Sequence, residues 1–381
     1  MNHGTRRALA LIISSGILMA ASAEVYQVFI GTYTGPKSEG IYSYRFDTET
    51  GAVESRGLAA PSKNPSFLAL HPSGRFLYAA NEVDEWNGKP GGYLSSFAIE
   101  PASGHLREIN QQSSGGAAPC FVAVDRTGQD LLAANYFGGS VVCLPIQSDG
   151  SLKPASAFVQ HRGSSVNPDR QKEPHAHSIN LSPDNRFALA ADLGLDQVLV
   201  YRFDPAAGTL IPNTPPFGRL APGSGPRHLA FSPDGRHAFV INEMLSTLTS
   251  MAYDARAGTL TEVQSASTLP DGKPRKDSST AQVCVHPNGR FVYGSNRGDD
   301  SIVVMSVQPD GHLKWVERVS TQGRTPRNFQ LDPSGKFLWA ANQSSDSITL
   351  FRVDGATGRL TPTGKQLAVG APVCVVFAKV P

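Results

Sequence analysis

The chain has 381 residues, with 34 Lys and Arg against 32 Asp and Glu, and only 17% of its residues are charged. Such length exceeds a single small sandwich, and the near-neutral balance gives no general attraction for nucleic acid or an anionic membrane. With 37 Gly, 28 Pro, short apolar runs and no sustained helical period, the composition fits an all-β chain of many short strands.

The first segment is the exception. Arg6 and Arg7 precede an apolar run from Ala8 to Ala20, which ends in Ala21-Ser22-Ala23. A basic start, a short apolar centre and a small-x-small site describe a secretory signal peptide over residues 1–23, cut after Ala23. The apolar run is short for a membrane span, so no stable membrane insertion is expected after cleavage. The mature chain, residues 24–381, is expected in the periplasm or secreted. Losing Arg6 and Arg7 leaves it with 32 basic against 32 acidic side chains.

The mature chain opens with Tyr26-Gln27-Val28-Phe29-Ile30-Gly31-Thr32, which reads as the second strand of a hairpin that lacks its first. Six complete hairpins follow: Ser66 to Asn81, Cys120 to Asn135, His177 to Asp192, Arg227 to Asn242, Ala281 to Asn296 and Arg327 to Asn342. Each joins two short apolar strands through a turn such as Ser232-Pro233-Asp234-Gly235, where Pro presets one dihedral and Gly accepts positive φ. In every copy the first residue lies eight before the turn Gly or Asn and the terminal Asn or Asp seven after it. Between hairpins run third strands such as Gln197-Val198-Leu199-Val200-Tyr201-Arg202-Phe203. Gly-x-Leu turns such as Gly208-Thr209-Leu210 then open fourth strands.

Four antiparallel strands per repeat of roughly fifty residues define a propeller blade. The chain ends on Ala371-Pro372-Val373-Cys374-Val375-Val376-Phe377, a first strand without a second. Pairing it with the opening strand completes a seventh hairpin and leaves no open sheet edge. The sequence therefore predicts an all-β seven-bladed propeller closed by its N- and C-terminal strands. Closed propellers of this kind are expected as monomers. Cys120, Cys143, Cys284 and Cys374 show neither a dense disulfide framework nor a CxxC pair, and free buried thiols are expected.

In such a ring the first strand of each blade lines the central channel, and the start of that strand sits beside the end of the second. The tips of all hairpins therefore meet at one channel mouth. One arc of this mouth gathers His177, Arg227, His228, Glu243, Arg297 and Arg327, more chemistry than turns or packing require. The recurrent Asn residues are expected to satisfy backbone groups. His175 and His177 could form a metal pair on one strand, but no companion ligand cluster accompanies them, so no metal and no cofactor are expected. Asp169, Arg170, Lys172 and Glu173 read as a solvated loop, and Lys273, Arg275 and Lys276 as a basic one.

The segments His177-Ser178-Ile179-Asn180-Leu181-Ser182-Pro183-Asp184-Asn185-Arg186, Gly225-Pro226-Arg227-His228, Asn242-Glu243, Asn296-Arg297 and Pro326-Arg327 resemble the lactonase family of seven-bladed propellers. That family includes propeller-type 6-phosphogluconolactonases and carboxymuconate-lactonising enzymes. The resemblance implies hydrolysis of a sugar lactone, with His177, Arg227, Glu243 and Arg297 as the catalytic set. His175, His228, Arg327 and Gln343 are expected to bind a small-molecule lactone, anionic or neutral. Export points away from a phosphorylated substrate and toward an unphosphorylated aldonolactone or another cyclic ester.

Lactone opening needs an activated water and a stabilised oxyanion, and no Gly-x-Ser-x-Gly elbow supports a serine nucleophile. Either Glu243 or His177 could be the general base, with Arg227 and Arg297 on the oxyanion or a substrate anion. A Glu243→Gln change is expected to lower kcat with little effect on thermal stability. The alternatives are carboxymuconate-lactonising chemistry and a non-catalytic propeller that binds a ligand or protein on the same rim.

Overall fold

The computed structural model describes Met1, residues 24–273 and residues 275–380. The expected signal peptide and its cleavage site lie outside the described residues. Among these residues the chain forms seven four-stranded antiparallel sheets and one two-stranded ribbon, Glu85–Trp86 with Lys89–Pro90. The only helical element described is a single 3-10 turn, Gln343–Ser345.

The inner strands are Pro65–Leu70, Pro119–Val124, Ala176–Leu181, Pro226–Phe231, Ser279–Val285, Pro326–Leu331 and Pro372–Lys379. Each packs against the next, and the last packs against the first, so seven strands ring one axis. Closure follows the expectation: Val25–Thr32 pairs antiparallel with Pro372–Lys379 inside one sheet, Val28 facing Phe377 and Ile30 facing Val375. Between blades the core is apolar, as where Phe46, Phe337 and Trp339 meet edge to face at 5.2–5.3 Å. All four cysteines are buried and free.

Four of the five repeated Asn residues donate to backbone carbonyls, while Asn242 donates to the hydroxyls of Thr247 and Thr249. Asn81 donates to the carbonyl of Lys63, Asn135 to that of Ser114 and Asn296 to that of Thr268. In the one blade with Asp at this place, Asp192 accepts from the amides of His175 and Gly194.

One feature of the inner strands decides where the polar tips point. In all seven the ladder slips by one residue at the start, as between Pro226↔Asn242 and His228↔Ile241. The extra residue is a β-bulge, and it is Ser66, Cys120, His177, Arg227, Arg327 or Val373 in six blades and falls at Ala281–Gln282 in the seventh. A bulged residue leaves the pairing pattern and its side chain is re-aimed. The entry to the bulge is fixed locally. Gly225 and Thr325 precede the strand prolines with φ of 63° and 59°, and their amides donate to Asp196 and Asp300 at 2.7 Å. Left-handed φ is costly for a β-branched Thr325, so these clamps hold Arg227 and Arg327 in place.

Candidate active site

The bulged residues and the ends of the second strands open into a cleft of about 410 Å³ at one end of the channel. Its walls are Glu82, Cys120, Tyr136, Phe137, Arg170, His177, Glu243, Arg297 and Arg327. Glu243, 6% exposed, is its electrostatic centre. Oε2 lies 3.2 Å from Arg227 Nε and 3.0 Å from Arg297 Nη2, while Oε1 accepts from Arg170 Nη2 at 2.8 Å.

Arg227, 2% exposed, stands behind Glu243 rather than on the cleft wall. Its Nε is close to Glu243 but off the line of a hydrogen bond, so this contact is an ion pair only. Its Nη1 donates to the carbonyl of Ala281 at 2.6 Å and to Nε2 of His228 at 3.2 Å. The other ring nitrogen of His228 faces the side-chain oxygen of Gln282, which can only accept, so Nδ1 carries the hydrogen. His228 thus props Arg227 from below. It packs edge-on against Phe67 and Phe121, whose stacked rings fill the channel beneath.

Across the cleft Arg327 lies 3.9 Å from Glu82 and 5.4 Å above the ring of Tyr33, whose hydroxyl donates to Glu82 at 2.8 Å. Arg297 donates Nη2 to the carbonyl of Thr280, while its buried Nε has no partner among the described residues. Four guanidiniums (Arg170, Arg227, Arg297, Arg327) thus face two carboxylates (Glu82, Glu243), and the excess positive charge favours an anion in the cleft.

The ionisation states follow. Burial alone would raise the Glu243 carboxyl, but Arg297, Arg227 and Arg170 outweigh it and hold the group far below the usual carboxylate range. Burial first, then Arg327 and Arg297, pull Arg227 down to about 9, which leaves it charged at neutral pH. For His177 burial is again foremost, with Arg227, His228 and Arg327 acting the same way, so its pKa falls well below 6.5 and the imidazole is neutral.

The cleft therefore brings together His177, Glu243, Arg297 and Arg327, with Arg227 one layer behind. Three expected binding residues are placed elsewhere. His228 is under Arg227, with its other side on the opposite half of the channel. His175 is buried, stacked on Tyr136 at 4.6 Å, and its Nδ1 donates to the Tyr136 carbonyl. Gln343 starts the 3-10 turn and does not line the cleft. His175 precedes its strand, His228 follows the bulged Arg227 and Gln343 lies in the 3-10 turn, so none of the three shares the aim of a bulged residue.

Sequence reasoning also overlooked residues. Arg170 belongs to the loop read as solvated, yet it bridges Glu243 and the Tyr136 hydroxyl, at 2.8 and 2.9 Å. Glu82 and Tyr136 directly follow the hairpin ends Asn81 and Asn135, as Glu243 follows Asn242, so a charge count around the whole ring would have found Glu82. Nothing in the sequence marks Arg170, because its reach depends on where the loop folds back.

A closed seven-bladed ring with an arginine-lined cleft at one mouth defines an enzyme-like propeller with an anion-attracting site. Residues 27–377 match the family described as Lactonase, 7-bladed beta-propeller, and the chain belongs to that family. A 6-phosphogluconolactonase of Bacillus subtilis is 38% identical over 353 residues, covering 92% of this chain and 98% of that protein. Another from Formosa agariphila is 33% identical over 348 residues, covering 90% and 96%. The solved structure of a periplasmic gluconolactonase from Pseudomonas aeruginosa is 37% identical, with TM-score 0.87, covering 94% of this chain and all of that one. These relatives are named as lactone-hydrolysing enzymes.

Proposed function

We propose that the chain hydrolyses an anionic or polyhydroxylated sugar lactone, with His177 as the general base. The observation that carries this reading is the place of His177 on the wall of a cleft whose guanidiniums outnumber its carboxylates; burial and the nearby Arg227 favour its neutral form. Glu243 is a poor proton acceptor, since three arginines occupy its oxygens and favour its ionised form. Its part is to hold the arginines in register. His177 takes a proton from water, the oxygen attacks the lactone carbonyl, and Arg297 with Arg327 receives the developing oxyanion or a substrate anion. Collapse of the tetrahedral intermediate breaks the ring C–O bond, and the imidazolium returns its proton to the departing ring oxygen.

Two features support action outside the cytoplasm: the basic, apolar and small-residue pattern before Glu24, and the likeness to the periplasmic gluconolactonase. The test is a pH-stat assay on glucono-δ-lactone and its 6-phosphate, with the uncatalysed opening subtracted. His177→Asn is expected to lose about 10²- to 10⁴-fold in rate, the usual share of a positioned base. The three arginines on the wall would also suit a polycarboxylate, so loss of carboxymuconate absorbance is the parallel assay for lactonising chemistry. Silence in all three assays would leave a binding propeller.

A further inference from the structure

Cys120 is the bulged residue of the strand Pro119–Val124, and that strand packs beside the one carrying His177. Its Sγ lies 3.4 Å from the carbonyl oxygen of His177, 3.8 Å from that of Ala176 and 3.6 Å from Nδ1 of His177. A thiol has one hydrogen, and carbonyl oxygens only accept. Pointing that hydrogen at Nδ1 would set sulfur lone pairs against two carbonyl oxygens with no hydrogen between them. Pointing it at the His177 carbonyl satisfies that oxygen and turns a sulfur lone pair toward Nδ1. Nδ1 must then carry the imidazole hydrogen.

Burial foremost, reinforced by Glu82, keeps Cys120 a thiol against the pull of Arg227 and Arg327. The neutral ring of His177 has only one hydrogen to place, and no hydrogen-bond partner for its Nε2 is found among the described residues. With Nδ1 protonated, Nε2 keeps its lone pair on a ring that forms part of the cleft wall.

We propose that Cys120 is a positioning residue that locks His177 into the Nδ1–H tautomer, so that Nε2 is the atom that accepts the proton of water. The proposal rests on the reading of His177 as the base. In the proton transfer, one water hydrogen moves to Nε2 and the hydroxide oxygen bonds to the lactone carbonyl carbon. The Nδ1 hydrogen stays directed at sulfur throughout, and the cysteine neither bonds to the substrate nor changes oxidation state. The imidazolium formed would have two N–H groups, one held by Sγ and one free to return to the leaving oxygen. Ala176 and His177 anchor the sulfur through backbone, so the tautomer lock does not depend on a mobile side chain.

The test reads the tautomer directly, by long-range proton–nitrogen correlation of the nitrogen-15-labelled histidine rings at pH 7.5. His177→Asn identifies which of the ten histidine signals to follow. In the wild type His177 is expected as the Nδ1–H form. Cys120→Ala is expected to give a mixture of tautomers and a kcat lower by about 10-fold, a part of the 10²–10⁴ that a positioned base contributes, with KM unchanged. Cys120→Ser, which keeps one hydrogen and an acceptor, is expected to restore both the signal and the rate. An Nε2–H tautomer in the wild type, or an unchanged Nδ1–H signal in Cys120→Ala, overturns the proposal. Should Cys120→Ala fail to fold, the wild-type and Cys120→Ser spectra decide. An Nδ1–H tautomer that depends on Cys120, in a protein whose His177→Asn variant keeps full activity, overturns the general-base reading and the role of Nε2 and upholds the tautomer lock alone.

Discussion

Arg170 and Glu243, separated by 73 positions in the chain, are joined by a hydrogen bond of 2.8 Å between Nη2 and Oε1. One end is almost fully buried, the other is 44% exposed, so the pair links the cleft floor to its mouth. Together with Phe137, 61% exposed, Arg170 forms the outer edge of the cleft wall.

Arg170→Ala is therefore expected to fold normally, because the guanidinium it removes is half-exposed and Arg227 and Arg297 still neutralise the buried Glu243. Its effect should fall on binding of an anionic substrate. KM for a phosphorylated lactone should rise roughly tenfold, the worth of one charge-assisted hydrogen bond reduced by solvent, with a smaller change for the neutral lactone. Parallel steady-state kinetics on the two substrates measure the difference.

Glu243→Gln should do more than slow the reaction. It leaves Arg227, buried behind it, without its counter-charge. Breaking a buried pair from one side costs on the order of 3 kcal/mol, so denaturant unfolding should show a clear loss of stability beside the loss of activity. The sequence alone suggested a purely kinetic effect, since neither Arg227's burial nor the threefold pairing of Glu243 could be seen there.

Acid should weaken the fold in two windows. His177 and His228 have folded pKa values below 6.5, for both chiefly through burial and next through Arg227. The unfolded chain takes up their protons first, so this stability is fully present above about pH 6.5 and declines by about 1.4 kcal/mol per pH unit for each ring below it. Glu243, depressed from 4.5, keeps its contribution above about pH 4.5 and loses it as pH falls through its lower folded value. Urea midpoints at pH 7.5, 6 and 5 should fall, and His177→Asn should flatten the slope by about one proton. Lactonase activity, resting on the same neutral ring, should hold its plateau through pH 6.5.

Gly194 offers a test of the loop that carries Arg170. A Cβ there would run into the carbonyl oxygen of Glu173 and approach the amide of His175 to 2.9 Å. Gly194→Ala must displace this backbone, at a cost of about 1–3 kcal/mol by the usual price of overpacking. Its kinetic defect should resemble that of Arg170→Ala, a KM effect greater for the anionic lactone.

The blades and their closure were legible because the same hairpin recurs at fixed register, and because the two terminal segments are complementary halves of one more. The arc holding His177, Glu243, Arg297 and Arg327 was legible for the same reason, since position in the repeat predicts position on the ring. His175, His228 and Gln343 were misplaced because register locates a backbone but not the direction of a side chain. The bulge at each inner strand turns Arg227 toward Glu243 and leaves its neighbour His228 facing the channel interior. Arg170 escaped because its loop has no counterpart in the repeat.

The strand Pro372–Lys379 has a consequence for how the molecule is made. Among the described strands it is made last, and its partner Val25–Thr32 first. Until it arrives, the growing polypeptide is an unfinished crescent with two bare flanks, and the latch that seals it must search across almost the entire molecule. A chain stopped before Pro372 would carry every wall residue of the cleft and still display a raw β edge to its neighbours, inviting aggregation rather than activity.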